Sequence, residues 1–142
     1  MKQALLLPII FCLSLFIVSG VLASEVSVTD PWIREAPPGA KVLAAYMKIS
    51  NNSTQTVALE SVSSPDFPMI HIHLTKMHEG MAHMQKQSQL QIEPGGSIML
   101  EPDSYHLMLM HPARALLVGD KVELQLQLDN GDVLDVTAIV RK

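Results

Sequence analysis

The sequence predicts an all-β protein folded as a β-sandwich or a Greek-key barrel. Turn-forming residues recur at short intervals after residue 23, and short stretches of alternating apolar and polar residues lie between them. The clearest alternation places Val122, Leu124, Leu126 and Leu128 on one side of a strand. No stretch after residue 23 carries the long apolar stripe of an amphipathic helix. Regularly spaced short strands joined by polar turns are typical of sandwiches and barrels.

Each predicted strand is bounded by turn signals. The turns include Asp30-Pro31, Glu79-Gly80 and Pro102-Asp103-Ser104. Asn130-Gly131 separates the last two strands, and this dipeptide favours a tight antiparallel hairpin. The predicted strands cover residues 44–49, 56–62, 70–74, 97–100, 122–128 and 133–140.

Residues 1–23 have the layout of a secretory signal peptide. Lys2 is followed by an almost wholly apolar run over residues 4–18, and the small residues Val21 and Ala23 precede a polar stretch. We expect cleavage near Ala23, export to the periplasm, and one domain over residues 24–142 without a stable membrane anchor. The alternative is a retained anchor, but the run is short for a span of about 20 residues and contains Pro8.

Cys12 is the only cysteine and lies inside this apolar run. It would be a lipoprotein site only if cleavage fell just before it, and Ile9-Ile10-Phe11 lacks the small residues that such a site prefers. The mature domain is therefore expected to have no thiolate ligand. Without Lys2 the chain has 9 basic and 14 acidic residues, a net of −5, and this balance argues against a nucleic-acid surface.

Methionine and histidine are concentrated in two short stretches. Eight of the nine methionines and all six histidines follow residue 23. A single methionine usually fills a gap in a core, and a single histidine is usually a surface residue. Neither explanation accounts well for methionines and histidines that occur together in the same stretches. The first stretch holds Met69, His71, His73, Met77, His78, Met81, His83 and Met84, and the second holds His106, Met108, Met110 and His111.

Strand geometry brings four of these residues into two compatible pairs. If Glu79-Gly80 forms a two-residue turn, Met84 lies opposite Thr75 and is a diagonal neighbour of His73, about 7–8 Å away between Cα positions. A slip of one residue in this register would separate their faces. His106 and Met108 are two residues apart and share a face of their own strand. Met110 shares that face, although it is equally suited to the core.

The ligand types select the metal. Thioether sulfur is soft and suits Cu(I), whereas imidazole suits copper, zinc and nickel alike. Structural zinc normally draws cysteine or carboxylate ligands, and calcium and magnesium prefer oxygen. Two methionines and two histidines therefore indicate a Cu(I) site formed by His73, Met84, His106 and Met108.

The spacing of these residues resembles that of a known family. Ten residues separate His73 from Met84, twenty-one separate Met84 from His106, and one separates His106 from Met108. This is similar to the His-X10-Met-X21-His-X-Met signature of the periplasmic copper chaperone family PCuAC. The stretch from Trp32-Ile33-Arg34 to Asn51 also resembles the opening of that family.

The resemblance implies a cupredoxin-like Greek-key β-sandwich and a metallochaperone that delivers Cu(I) toward cytochrome c oxidase assembly. The implied partners are copper-donor and copper-acceptor proteins, namely the oxidase or its assembly factors. The alternative is a periplasmic copper buffer or resistance protein that makes no such delivery. A blue-copper electron carrier would need a cysteine ligand, and no arrangement of residues singles out an enzyme.

The chain departs from the family pattern at His71, where an acidic residue is common. Two interpretations stay open for the additional histidines. They form a weaker Cu(II) or Zn(II) site, or they are solvated surface residues. The histidines concerned are His71, His78, His83 and His111.

Overall fold

The computed structural model describes residues 25–142, and in this range it contains ten β-strands and no α-helix. The predicted signal peptide over residues 1–23 lies outside the described residues. No helix in the described part of the chain is long and apolar enough to cross a membrane. The strands are β1 (Val26–Arg34), β2 (Val42–Asn51), β3 (Val57–Ser63), β4 (Met69–His78), β5 (Met81–Gln87), β6 (Leu90–Ile92), β7 (Ser97–Leu100), β8 (Tyr105–Met110), β9 (Lys121–Leu128) and β10 (Val133–Arg141).

The strands are hydrogen-bonded in the order β5-β4-β8-β7-β2-β1-β10-β9-β3-β6. Ile72 of β4 belongs to the same buried cluster as Leu59 of β3 and Leu124 of β9, although β4 is far from these two neighbouring strands in this order. The sheet must therefore bend over so that its two halves enclose a common core, and the architecture is the two-layered β fold predicted from the sequence.

The alternation in β9 decides which face is buried. All four of its apolar side chains are at most 1% exposed, while the polar residues between them face outward. β10 pairs with β9 and turns Val136, Ala138 and Val140 toward the same core. The hairpin predicted from Asn130-Gly131 is confirmed, with Gly131 at a φ of 90° in its loop.

The predicted turn at Asp30-Pro31 is wrong. These residues lie inside β1, where the pairing with β2 shifts register between Thr29 and Trp32. Asp30 has a φ of 49°, and proline has no N–H for the ladder, so the dipeptide forms a bulge and the strand continues beyond it. The carboxylate of Asp30 accepts a hydrogen bond from Arg141 at 2.6 Å, which ties the bulge to the end of β10.

The turn between β4 and β5 has the predicted length of two residues. Glu79 and Gly80 both have positive φ, at 49° and 76°, as a type I′ turn requires. This turn fixes the pairing of Thr75 with Met84 and of Lys76 with His83. The register assumed from the sequence is therefore the one that the chain adopts.

β7 and β8 follow one another along the same edge of β2. Residues of β7 pair with Met47–Ser50, and residues of β8 pair with Val42–Ala45. The loop over residues 101–104 joins them, with Asp103 at a φ of 63°. β8 thus enters the sheet between β2 and β4, and His106 is its second residue.

Candidate metal centre

β4, β5 and β8 bring the four predicted ligands to one face of the sheet. His73 lies directly opposite His106 across β4 and β8. Met84 lies opposite Thr75, which is two residues from His73. Met108 is two residues from His106. Because opposed residues share a face and residues two apart share a face, all four side chains lie on the face that points away from the core.

The rings of His73 and His106 have a spacing that suits a shared ion. Their centroids are 5.8 Å apart and their planes are inclined by 65°. Two imidazoles that bind one ion through nitrogen–metal bonds of about 2.0–2.1 Å have centroids roughly 5–6.5 Å apart. The cross-strand pair therefore needs little rearrangement to hold a metal.

Each of these rings has one nitrogen available. His106 Nδ1 donates a hydrogen bond to the carbonyl oxygen of Ser104 at 3.1 Å, so in the neutral ring the lone pair is on Nε2. His73 Nδ1 is buried and has no hydrogen-bond partner among residues 25–142. A buried polar atom without a partner is costly, and a bound metal ion would satisfy it. The donor set therefore fits a metal that accepts imidazole and thioether ligands.

The surroundings of His73 favour the neutral form of its imidazole. Burial is the largest cause that lowers the pKa of His73 below its ordinary value, and the neighbouring His106, His71 and Lys86 lower it further. A metal ion binds only the unprotonated nitrogen. The lowered pKa therefore reduces competition between protons and a metal at this position.

The loop before β8 orients the ring of His106. The carbonyl of Ser104 accepts hydrogen bonds from His106 Nδ1 and from the backbone amide of Thr75, each at 3.1 Å. One carbonyl thus joins the ring of His106 to the β4 residue opposite Met84. Such outer contacts orient a metal-binding histidine and fix its tautomer.

Exposure increases from one side of the site to the other. His106 is only 6% exposed, and His73 and Met108 are half-buried. Met84 is 59% exposed and lies on the edge strand β5. A metal held here would have the two more buried imidazoles on its inner side and the exposed Met84 thioether on its solvent side.

His71 lies next to the site. It is opposite Met108 in the β4–β8 ladder, and its ring centroid is 5.9 Å from that of His73. Lys86 Nζ donates to His71 Nε2 at 3.3 Å, which occupies one nitrogen of this ring. His71 therefore contributes to the electrostatics of His73, and one of its nitrogens is already hydrogen-bonded.

An aromatic pair borders the site on β2 and β1. Ala44 lies opposite Met108, and Tyr46 shares the face of Ala44. The ring of Tyr46 is buried against Trp32, with 4.7 Å between centroids, and burial raises the pKa of the Tyr46 phenol.

The other candidate residues are not brought to this site. His78 and His83 lie at the far end of the β4–β5 hairpin, and His111 is exposed beyond the end of β8. Met110 lies opposite Met69 at the other end of β8. No group of three or more His, Cys, Asp or Glu residues suited to a metal ion occurs among residues 25–142. The predicted centre combines only two such residues with two thioethers.

Sequence reasoning did not identify the residues that support the ligands. The roles of Ser104 and Lys86 depend on a loop conformation and on a cross-strand contact. The Pro102-Asp103-Ser104 turn signal placed Ser104 in a loop, but nothing in the sequence indicated that its carbonyl would meet His106.

Comparisons of sequence relate the chain to lipoproteins. The model of the family described as "Putative lipoprotein LpqE-like" matches residues 26–140. The "Putative lipoprotein Lxx21020" of Leifsonia xyli subsp. xyli is 27% identical over 123 residues, which span 86% of this chain and 73% of that protein.

Comparisons of structure relate the chain to copper-binding domains. The solution structure of Cu(I)-DR1885 from Deinococcus radiodurans is 34% identical and covers 87% of this chain and 83% of its own, with a TM-score of 0.69. The copper-bound PCuAC domain from PmoF2 has a TM-score of 0.71 at 19% identity, and covers 83% of this chain and 93% of its own. These likenesses confirm the expected cupredoxin-like β fold.

Proposed function

From the premise that this chain belongs to the LpqE-like family, we propose that it is a Cu(I)-binding carrier of the periplasm. The proposed ligands are His73, Met84, His106 and Met108. The copper forms of DR1885 and of the PmoF2 domain share its fold, and this likeness supports copper as the cargo.

The single observation that carries the proposal is the pairing of His73 with His106. The two ring centroids are 5.8 Å apart, and the buried Nδ1 of His73 has no partner within the described part of the chain. His106 is fixed through its own Nδ1 by Ser104. One imidazole is oriented, and a nitrogen of the other is unsatisfied. A metal site needs such oriented and available ligands before the metal binds.

The thioethers decide between metals. Met108 and Met84 lie on the same face as the two imidazoles. Thioether sulfur contributes little to zinc, whereas Cu(I) accepts it readily. Four neutral ligands also suit a monovalent ion, because no ligand charge is needed to balance it.

The proposal is tested by titrating the exported protein with Cu(I) against a chromophoric chelator. X-ray absorption of the loaded protein then identifies the ligand atoms. We expect sulfur and nitrogen together in the copper shell and Cu(I) bound in preference to Zn(II). A shell of nitrogen and oxygen alone, or a preference for Zn(II), contradicts the proposal.

We further propose that the carrier delivers its copper toward cytochrome c oxidase assembly. Met84 is 59% exposed on an edge strand, so an acceptor's ligands can reach the ion from the solvent side. Stepwise replacement of weak thioethers permits transfer without unfolding. Incubating the loaded chain with a copper-free oxidase copper domain tests delivery. Retention of copper by the chain favours a buffer or resistance protein instead.

A carrier role requires no turnover. The proposed site uses histidines and methionines as ligands, and within the described residues neither the β4–β5 nor the β4–β8 ladder pairs a carboxylate with them. We therefore expect the copper-loaded protein to show no oxidase or hydrolase activity. Steady turnover of a model phenol or ester above the rate of free copper would overturn this expectation.

A further inference from the structure

The β4–β5 hairpin extends beyond the sheet to which it belongs. β4 pairs with β8 only from Met69 to Leu74, whereas its pairing with β5 continues to His78. The end of the hairpin, residues 76–83, is therefore a two-stranded projection; we call it the hairpin tip. All but one of the β5 residues are exposed, as are the last three of β4.

The register of the tip places three metal-binding side chains on one face. His78 lies directly opposite Met81, and His83 lies opposite Lys76. Because Lys76 is two residues from His78, the side chains of His78, Met81 and His83 share a face. Met84 follows His83 directly and so points to the other face. This trio is thus separate from the ligands of the proposed carrier site.

The two rings already lie at nearly the spacing of a shared ion. The centroids of His78 and His83 are 6.4 Å apart and their planes are inclined by 62°. This distance lies at the long end of the roughly 5–6.5 Å expected for two imidazoles on one ion. Apart from a contact between His78 Nε2 and the Glu79 carboxylate at 3.9 Å, neither ring has another polar partner in residues 25–142. Small rotations of exposed side chains are enough to close the site.

We propose that the hairpin tip is a second copper site, in which His78 and His83 supply imidazole nitrogen and Met81 supplies a thioether to one Cu(I) ion. The type I′ turn at Glu79-Gly80 fixes the register that brings the three donors together. The Met81 thioether, directly opposite His78, selects Cu(I) over Zn(II) for the same reason as in the carrier site.

The tip site binds more weakly than the carrier site. The side chain of His78 is 78% exposed and Met81 is 61% exposed. Ordering such side chains has an entropic cost, whereas His106 is already buried and held by Ser104. The inference does not depend on the proposed function, because the two sites share no ligand.

The number of bound Cu(I) ions tests the tip site. Exported protein is titrated with Cu(I) against a weak chromophoric chelator in four forms: wild type, the tip variant His78→Gln/His83→Gln, the carrier variant His73→Gln/Met108→Leu, and the combination of both. We expect two, one, one and no equivalents, respectively. One equivalent in the wild type that the tip variant retains, or two in the tip variant, overturns the tip site. If the tip variant loses one equivalent and the carrier variant still binds two, the carrier site is contradicted and the tip site is not.

Two controls make the result specific. His111 is an exposed histidine that belongs to neither proposed site, and His111→Asn should keep both equivalents. Loss of an equivalent in this control would mean nonspecific binding by surface histidines and would overturn the proposal. Met81→Leu retains size without sulfur, and we expect weaker Cu(I) binding at the tip. Unchanged Cu(I) affinity at the tip in Met81→Leu removes the thioether from the proposed ligands.

Discussion

The imidazole of His73 faces that of His106 across β4 and β8, with 5.8 Å between the ring centroids. The two residues are 33 positions apart in the chain, so only the ladder between these strands brings them together. One ring is fixed by the Ser104 carbonyl, and the other has a buried nitrogen that finds no partner in the described residues.

Removing the free nitrogen of His106 should weaken Cu(I) binding while retaining the fold. In His106→Asn the side-chain amide can still donate to the Ser104 carbonyl, but the Nε2 donor is lost. Loss of a residue that only supports a metal ligand typically lowers metal affinity by about 10–100-fold. Because His106 is itself a proposed ligand, we expect Cu(I) affinity to fall by at least this factor. Competition titration measures the affinity. His111→Asn is the matched control, and an equal loss there would exclude a specific role for His106.

The thioethers should contribute to affinity without contributing much to stability. Met84 is 59% exposed, so Met84→Ala should change the free energy of unfolding by no more than about 0.5 kcal/mol. Met108→Ala should likewise leave the fold intact. In each variant Cu(I) affinity should fall. Met99→Ala, an exposed methionine on β7, is the control and should bind normally. Unchanged affinity in Met108→Ala would count directly against the site.

The stability of the metal-free protein should depend on pH through His73. Its pKa in the folded state is lowered by burial and by His106, His71 and Lys86, whereas in the unfolded chain it is near its ordinary value of about 6.5. Between these two values the unfolded state binds more protons, so stability is lost as the pH falls through this window. Wild type should therefore lose more thermal stability from pH 7.5 to pH 5 than His73→Gln does. Equal losses would show that His73 is not the responsible group.

Asn51 should matter for the fold and not for the metal. It is fully buried, and its amide donates to the carbonyls of Gln55 and Ile92 at 2.7 and 2.9 Å. Its Oδ1 accepts from the amide and hydroxyl of Ser53. Asn51→Ala leaves buried groups without partners at about 1–3 kcal/mol each, so we expect destabilisation of several kcal/mol. Denaturant unfolding measures it, with Asn52→Ala as the exposed control.

The Cu(I) affinity of folded Asn51→Ala should match that of the wild type, because Asn51 lies at the end of β2 that pairs with β7 rather than β8. A large loss of affinity in the folded variant would mean that the two ends of the sheet are coupled. Asn51 would then have a role in the site as well as in the fold.

The fold was predictable where local periodicity and core packing agree. Val122, Leu124 and Leu126 alternate with polar residues and are all buried, so β9 followed directly from the sequence. β1 was missed because Asp30-Pro31 is normally a turn signal, and here the backbone absorbs it as a bulge. β6 has only three residues, Leu90–Ile92, which is too short for a visible alternation.

For the candidate site, the pairing register of the β4–β5 hairpin was predictable from the sequence. The two-residue turn at Glu79-Gly80 determined which side of β5 Met84 occupies. The contact between His73 and His106 could not be derived in the same way, because the pairing of β4 with β8 is a long-range choice that no local signal fixes. The supporting contacts of Ser104 and Lys86 arise only after that pairing is made.

The position at which the predicted signal peptide is cleaved can be measured directly. Cys12 lies outside the described residues. The family to which the chain belongs is described as putative lipoproteins. The residues before Cys12 are large and apolar, so we expect cleavage near Ala23 and a mature chain that begins at Ser24. Intact mass of the protein recovered from the cell envelope measures this. Cys12→Ser should leave the mass and the copper content unchanged. A lipid-modified mature chain that begins at Cys12 would show instead that cleavage falls before Cys12 and that a lipid anchors the protein. The carrier would then work at the membrane surface.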